Sequence, residues 1–583
     1  VDSVGDGGGS VAAPRVPMLA ARDLAGCEHR LALDACEHRL ALDAGVVDDP
    51  VVVNGLVVDV DAADTEIPVE DPSATRRKEA AALHRRRVAQ TIRDLHAATP
   101  DAVVTVSGDT AAQRVAATIA ACERGVPWVL DATLPDDRVA GRRGSSEALV
   151  HVDDGYVPVI VVNHRITVGD TDGTAVTTPL DRWSPGRDRT RSVRRHRRDV
   201  LRVAHLTRLL QHAGLASSAG VAGVIGLDAD CILVHELRPG VVPQGSDEPP
   251  RDPLADYDAT LALRREIATG TVPTAPSRIG ECRSCRWWVR CGPELEAAHD
   301  VSLVATGNQT AVLRAAGLTS VDDLARGDAP PEVAAEFPGG DLSDAVTVAR
   351  AWLAGVPLVR RVERPTVARA DVEVDVDMES HGEDGAYLWG TLLTDRTDPT
   401  VPVEYRPFAT WDPLPTLDEA RSFAEFWGWL IARRDAAVAA GKTFAAYCYS
   451  QSAENRWLLG SARRFASMPG IPTVDEVTAF ITSPEWVDVY EAVGEKFVCP
   501  QGKGLKRIAP VAGFHWRDPE AGGEASMEWY RLAVGFEGAV PDLASRDRIL
   551  QYNEDDVWAT KVLREWIDGR AAQDIPHRDD LHP

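Results

Sequence analysis

From residue 370 to 379 the chain reads Ala-Asp-Val-Glu-Val-Asp-Val-Asp-Met-Glu, an alternation of acidic and apolar positions with the period of a β-strand. Such a strand places Asp371, Glu373, Asp375, Asp377 and Glu379 on one face. Five carboxylates in a row repel one another, so cations must neutralise some of them, or the early ones must lie at a solvated edge. The apolar run 385–393 predicts a second strand of a hairpin sheet. A helix, a strand, a helix and finally a long amphipathic helix from Arg546 follow, an α/β order for 366–570. In the first half, 76–97 reads as a charged helix and 103–106 and 128–130 as strands. Residues 147–152 and 156–162 read as a hairpin turning at Asp153-Asp154-Gly155.

At 583 residues the chain is too long for one core. Residues 1–16, rich in Gly, Ser and Asp, read as a disordered tail, 17–295 as a first domain and 571–583 as a polar tail. Between the domains, 296–330 reads as a small helical unit. Its stretch 312–324 has an apolar helix, a turn at Gly317 and Ser320 capping a second helix, similar to half of a helix-hairpin-helix, although a plain linker bundle fits as well. Pro and Gly around 330–340, and a second break at 360–365, make 331–365 a linker. Neither end shows a secretion signal and nowhere do 18 apolar residues run together, so the expectation is a cytoplasmic protein without a membrane partner. Nine cysteines, an odd number, agree with a reducing compartment. Cys122, Cys231, Cys448 and Cys499 sit in apolar surroundings and read as core.

The formal net charge of -26 opposes binding to nucleic acid, but the charge is unevenly spread. Residues 182–202 hold nine arginines against two aspartates, the kind of stripe that phosphate contacts require. With 57 arginines and six lysines in the chain, such clusters also arise from coding bias, so the stripe supports nucleic acid only beside other observations.

Cys282-Arg-Ser-Cys285, with Cys291 five residues further on, crowds three thiols into ten residues. One tight triplet with a remote fourth cysteine fits a [4Fe-4S] cluster better than zinc, which usually pairs two short Cys-x-x-Cys units. The best early candidates for the remote ligand are Cys27 and Cys36. These begin two identical copies of Cys-Glu-His-Arg-Leu-Ala-Leu-Asp-Ala. Nine helical steps turn a position by about 180°, so the two face opposite ways and only one can reach the triplet. Cys27, with the apolar lead-in 18–26, is the better choice.

Asp377-Met-Glu379, then Tyr449-Ser-Gln-Ser-Ala-Glu454-Asn, and Tyr552 with Asp556 resemble the successive motifs of the ribonuclease-H-like DEDD exonucleases, specifically their YprB-type branch. Trp486-Val-Asp488-Val-Tyr and Gly504-Leu-Lys506-Arg-Ile-Ala are supporting matches. The resemblance implies two divalent ions, Mg²⁺ or Mn²⁺, held by carboxylates that clamp the scissile phosphate. Asp377, Glu379 and Asp556 would be metal ligands and Tyr552 would position the attacking water. The second motif departs, since Glu454 stands where the family usually has Asp; Asp488 is the candidate substitute ligand.

An early cysteine plus C-x2-C-x5-C resembles the iron-sulfur members of the RecB-family nucleases, the AddB type. Its coupling to a YprB-like part resembles the RecB-like putative nucleases that join the two. This implies a PD-(D/E)XK-like fold for 17–295, with Cys27, Cys282, Cys285 and Cys291 holding the cluster. His84 matches that family's helical histidine, and Glu147 could replace its first acid. The next strand, 156–162, has neither acid nor lysine: Ile160 and Val162 occupy those positions. A metal site cannot keep Mg²⁺ with an aliphatic group as its central ligand. The expectation is therefore a multidomain α/β nuclease of DNA or RNA metabolism, DNA repair included. Its C-terminal domain would digest single strands exonucleolytically while its N-terminal domain grips them. The competing readings are a scaffold in which both nuclease folds are degenerate and a zinc-stapled structural protein. No Gly-x-x-x-x-Gly-Lys-Ser/Thr loop occurs, so unwinding would fall to a separate helicase.

Overall fold

The acidic strand forms as its alternation predicts, over Val372–His381, and pairs antiparallel with Gly385–Asp395. The computed structural model describes residues 17–43, 51–53, 56–58, 72–240, 252–305, 307–382, 384–520 and 522–582, so the expected tail 1–16 lies outside the described residues. The chain divides into two units, Val1–Cys291 and Gly292–Pro583.

In the C-terminal unit a five-stranded sheet runs in the order Glu404–Ala409, Gly385–Asp395, Val372–His381, Phe444–Cys448, Trp486–Asp488. The first three strands are antiparallel; the last two run parallel to the acidic strand. Pleating sends Val372, Val374 and Val376 to one face, where they pack with Phe423, Phe426 and Trp427 of helix Asp418–Ala439. The acidic positions point the other way, toward helix Leu543–Gly569. This helix, capped by Asp542 accepting the Ala544 and Ser545 N–H groups, is the long one expected from Arg546.

The acid row is neutralised at its lower end. Arg564, fully buried, donates from Nε and Nη2 to Asp375 at 2.8 and 2.9 Å and from Nη1 to Glu373. Arg369 adds a second fork onto Glu373 at 2.7 and 3.0 Å, and the Tyr447 hydroxyl donates to the same carboxylate. Burial alone would raise the Glu373 carboxyl, but the two guanidiniums hold it down at about 2. Asp371 instead takes the Thr443 N–H and hydroxyl at the exposed start of the strand.

The stretch 331–365, read as a linker, is not bare. It carries helices Pro331–Glu336 and Leu342–Leu353, and a short strand Val359–Arg360 paired with Phe497–Val498. The tail 571–583 is likewise anchored through buried Ala571, Ile575 and Leu581. Ser320 caps its helix as expected, accepting from Asp323 N–H, after a turn at Gly317 with φ 81°.

The N-terminal unit is built on an eight-stranded mixed sheet. Ser145–Val152 and Gly155–Val161 form the expected hairpin, and helix Pro72–Leu95 covers one face through Val88 and Ile92. Helix Arg197–His212 covers the other through Val203, Leu206 and Leu209. Helices Glu28–Asp43 and Pro253–Thr269 pack together around Leu31, Tyr257 and Leu261. Of the cysteines expected in the core, Cys122 and Cys448 are buried, whereas Cys231 and Cys499 are half-buried.

Replacing Arg564 by Met should strand Asp375 in the core, while Glu373 keeps its Arg369 fork, and cost about 3–5 kcal/mol in the denaturant transition of the C-terminal unit. The two proteins should also respond differently to acid. In the wild type the folded Glu373 pKa lies below its ordinary 4.5, so that stabilisation is present above pH 4.5 and is lost as pH falls toward about 2. Between pH 7 and 5 the Glu373 contribution should therefore be constant. The variant, in which Asp375 has lost its guanidinium and folds best neutral, should gain stability relative to the wild type as pH falls over that interval.

Candidate metal centre

Eight residues before Arg564 on the same helix stands Asp556, and four residues after Asp375 on the strand stands Glu379. The helix climbs about 12 Å over its eight residues and the strand about 13 Å over its four, so a register fixed by the Arg564 pairs brings Asp556 against Asp377 and Glu379. One carboxylate oxygen from each of the three lies within 4.8 Å of the other two. Glu379 and Asp556 are buried and Asp377 is half-buried.

Neutral donors hold the three acids in place. Asp556 accepts from Trp516 Nε1 at 2.6 Å and from the Tyr552 hydroxyl, and Glu379 accepts from Ser526 Oγ at 2.7 Å. Asp377 accepts from Asn553 Nδ2 at 2.7 Å, and the Tyr405 hydroxyl donates to Asn553 Oδ1 at 2.8 Å, which fixes the amide's orientation. Gly390 makes room for that amide: a Cβ there would collide with Asn553 Oδ1. Lys506 supplies the nearby positive charge, donating to the Tyr552 hydroxyl at 3.2 Å with its Nζ 4.4 Å from that ring's centre.

These donors do not balance the charge. Burial first, then Asp556, Glu379 and Glu454, push the Asp377 carboxyl well above the usual carboxylate range. Burial and Asp556 do the same to Glu379, and burial raises Asp556 against the pull of Lys506. Burial likewise lowers the Lys506 ammonium, opposed by the same three acids. Packed carboxylates with too little positive charge are what a divalent cation with oxygen ligands requires, so the donor set fits Mg²⁺ or Mn²⁺.

Glu454, in the first turn of helix Gln451–Arg464, is 3 % exposed, and its Oε2 has no hydrogen-bond partner. Burial, with Asp488 and Glu379 adding to it, pushes its carboxyl up to about 8. Its charge is felt at Asp377, which places it beside the three ligands and outside their 4.8 Å group. Asp488, expected as a substitute ligand, is used otherwise. Its carboxylate accepts the backbone N–H groups of Ser450, Gln451 and Tyr490 at 2.9–3.0 Å, capping its own helix and pinning the turn that starts the Glu454 helix. It is a positioning residue, because an aspartate at a strand end beside two helix starts meets backbone donors first.

In the N-terminal unit, Cys27, Cys282, Cys285 and Cys291 line one pocket; Cys36 is buried elsewhere. Cys27 Sγ accepts from Arg30 N–H at the start of the helix, and Cys282 Sγ accepts from Ile279 N–H, both at 3.4 Å. Burial raises the Cys282 and Cys285 thiols. Among the described residues, the donors that close to 4.8 Å are the three carboxylates, so the four thiols are spread more widely than that.

The other expected site residues of this unit do not assemble. His84 Nε2 bonds the Gly226 carbonyl at 3.1 Å. Glu147 is paired with Arg202 and takes the Val161 N–H. Ile160 and Val162 join the core with Leu206 and Leu209.

A family model described as RNase_H superfamily matches residues 467–568, a stretch that includes Asp488, Lys506, Trp516, Ser526, Asn553 and Asp556. The C-terminal unit therefore carries a ribonuclease-H-like domain. No curated protein matches the chain. No helix among the described residues is long and apolar enough to cross a membrane.

Because Glu454 folds with a raised pKa, the neutral acid is the form that stabilises the fold, and that stability is lost as pH rises through about 8. A cation among the ligands reverses the sign by compensating the charge. Mn²⁺ should accordingly raise the melting temperature of the C-terminal unit more at pH 8.5 than at pH 6, measured against an EDTA control, and Asp556→Asn should abolish the difference.

Proposed function

We propose that the C-terminal unit hydrolyses phosphodiester bonds of single-stranded DNA or RNA from a strand end. The N-terminal unit would bind the strand and carry a [4Fe-4S] cluster. The observation that supports this most is the convergence of Asp377, Glu379 and Asp556, from a strand and a facing helix, within 4.8 Å in a ribonuclease-H-like domain. Mg²⁺ or Mn²⁺ held there by these carboxylates, with Glu454 beside them, supplies Lewis-acid activation of water and of the leaving oxygen. The chain's own groups do the rest. Lys506 donates to the Tyr552 oxygen, so the phenol directs its single proton at Asp556 and presents its oxygen side toward the site. In this reading the Tyr552 oxygen would receive the attacking water. Trp516, Ser526 and Asn553 prevent the ligands from turning away when the charge of the substrate arrives.

Two observations support the cluster. Cys27, Cys282, Cys285 and Cys291 line one pocket, the triplet and its remote partner together. The N–H···S bonds at Cys27 and Cys282 are of the kind that stabilises cluster thiolates. The N-terminal unit offers no second hydrolytic site in this reading, since Ile160 and Val162 are core and Glu147 is neutralised by Arg202.

Digestion of end-labelled oligonucleotides with Mn²⁺ should fall on the order of a thousandfold or more in Asp377→Ala and Asp556→Asn, while binding changes little. Glu147→Ala should leave digestion intact. Unchanged digestion in Asp556→Asn would remove the site from the C-terminal unit, and binding without any digestion would favour the scaffold reading.

Anaerobically purified protein should be brown and hold about four iron atoms per chain. Cys27→Ser should lose the iron and Cys36→Ser should keep it. Stoichiometric zinc without iron would overturn the assignment.

A further inference from the structure

Five arginines of the N-terminal unit line one cavity of about 830 Å³ between helix Pro72–Leu95, helix Ala111–Glu123 and the sheet. They are Arg85, Arg86, Arg87 and Arg93 from the first helix and Arg114 from the second. Among the described residues none of the five closes an ion pair. Arg93 bonds the neutral Gln90 and Thr105 side chains, and Arg114 bonds the Gly108 carbonyl. Two acids, Asp131 and Glu147, share the cavity, and Glu147 is already paired with Arg202. In a chain of net charge -26 this is a local surplus of positive charge over an apolar floor that includes Val88, Ile92, Leu130 and Val161.

We propose that this cavity seats consecutive phosphates of a nucleic-acid single strand. The proposal deepens the strand-binding role suggested above for the N-terminal unit and rests on that reading. The spacing argues for a strand over a small anion. Arg86 and Arg93 are seven residues apart on one helix face, about 10 Å along the axis, a span that suits consecutive phosphates. Arg114 approaches from a different element. A recessed, partly apolar cavity also admits a single strand with its bases turned inward, where a duplex would be held at the rim. The contacts are to the backbone, so binding should be strong in salt dependence and weak in sequence preference.

The cavity competes with the arginine-rich stretch 182–202 for this role, and the two can be separated. Fluorescence anisotropy of a 20-nucleotide oligo(dT) and of its RNA counterpart is measured on the full chain in EDTA, so that nothing is cleaved. Arg86→Glu/Arg93→Glu/Arg114→Glu should weaken binding at least tenfold. It should also flatten the plot of log affinity against log salt by about 2, as expected for three lost contacts to a single strand. The triple Lys variant, which keeps the charge, should retain most of the affinity and shows that a loss in the Glu variant is not misfolding. Arg189→Glu/Arg194→Glu should have a smaller effect.

Loss of binding in the Arg189/Arg194 pair with none in the cavity variant would overturn the proposal. So would inhibition of oligonucleotide binding by inorganic phosphate or a mononucleotide at concentrations that leave the salt dependence unchanged, which would mark a small-anion site. Metal-dependent digestion is scored separately. Digestion that persists while the cavity variant binds normally sinks the proposal and leaves the hydrolytic reading standing. Binding that needs the arginines in a chain without digestion does the reverse.

Discussion

Everything in the C-terminal unit hangs on the buried contact of Arg564 with Asp375 and Glu373. Taking one guanidinium and two carboxylates fully out of water is costly, and it is offset only because every oxygen is met: Asp375 by a two-pronged fork, Glu373 by Arg564, Arg369 and Tyr447 together. Such a contact tolerates little sliding. A helix shifted by one turn would leave a bare charge in the core, so the pairing selects one register of helix against strand. The site follows from that register, since the same helix face carries Asp556 two turns further up and the same strand face carries Asp377 and Glu379.

The acid row is thus divided by its counter-charges. Its lower members meet arginines with fixed geometry and are structural. Its upper members meet a tryptophan, a serine, an asparagine and a tyrosine, donors that orient a carboxylate without cancelling its charge. Lys506 is the exception and stops short: it reaches the phenol of Tyr552 and not a carboxylate. The result is a pocket held in shape yet electrostatically unfinished, which is the condition for binding a cation from solution with the protein already organised around it.

The strand face and the Tyr552/Asp556 spacing were legible because they are periodic, and periodicity survives in a bare sequence. The division of the acids was not, since it depends on arginines 4 and 189 positions away from the carboxylates they meet. The strand Glu404–Ala409 was invisible for a local reason: it is a largely exposed edge containing Pro407, so it shows neither an apolar alternation nor an unbroken donor row. Trp516 and Ser526 carry no motif, and only the fold brings them to the acids. Asn553 stood beside the recognised tyrosine, but its role needs Gly390 on another strand to vacate the space it fills. The capping contacts of Asp488 were not legible because a carboxylate's type in a sequence does not tell which backbone amides reach it.

The N-terminal unit shows the same dependence of chemistry on register, with a duplicated segment as the natural control. Two identical nine-residue copies enter one helix, and the physical difference between their cysteines is position alone. Cys27 precedes the first turn, where the Arg30 N–H donates to its sulfur, and Arg30 stands beside Glu281 of the triplet's own segment. Cys36 lies a half-turn round and two and a half turns along, and it is buried outside the pocket that Cys27 lines. Identical sequence therefore gives one thiol in the pocket of Cys282, Cys285 and Cys291 and one buried away from it. Which copy's thiol meets the triplet is thus a consequence of where each falls along and around a single helix.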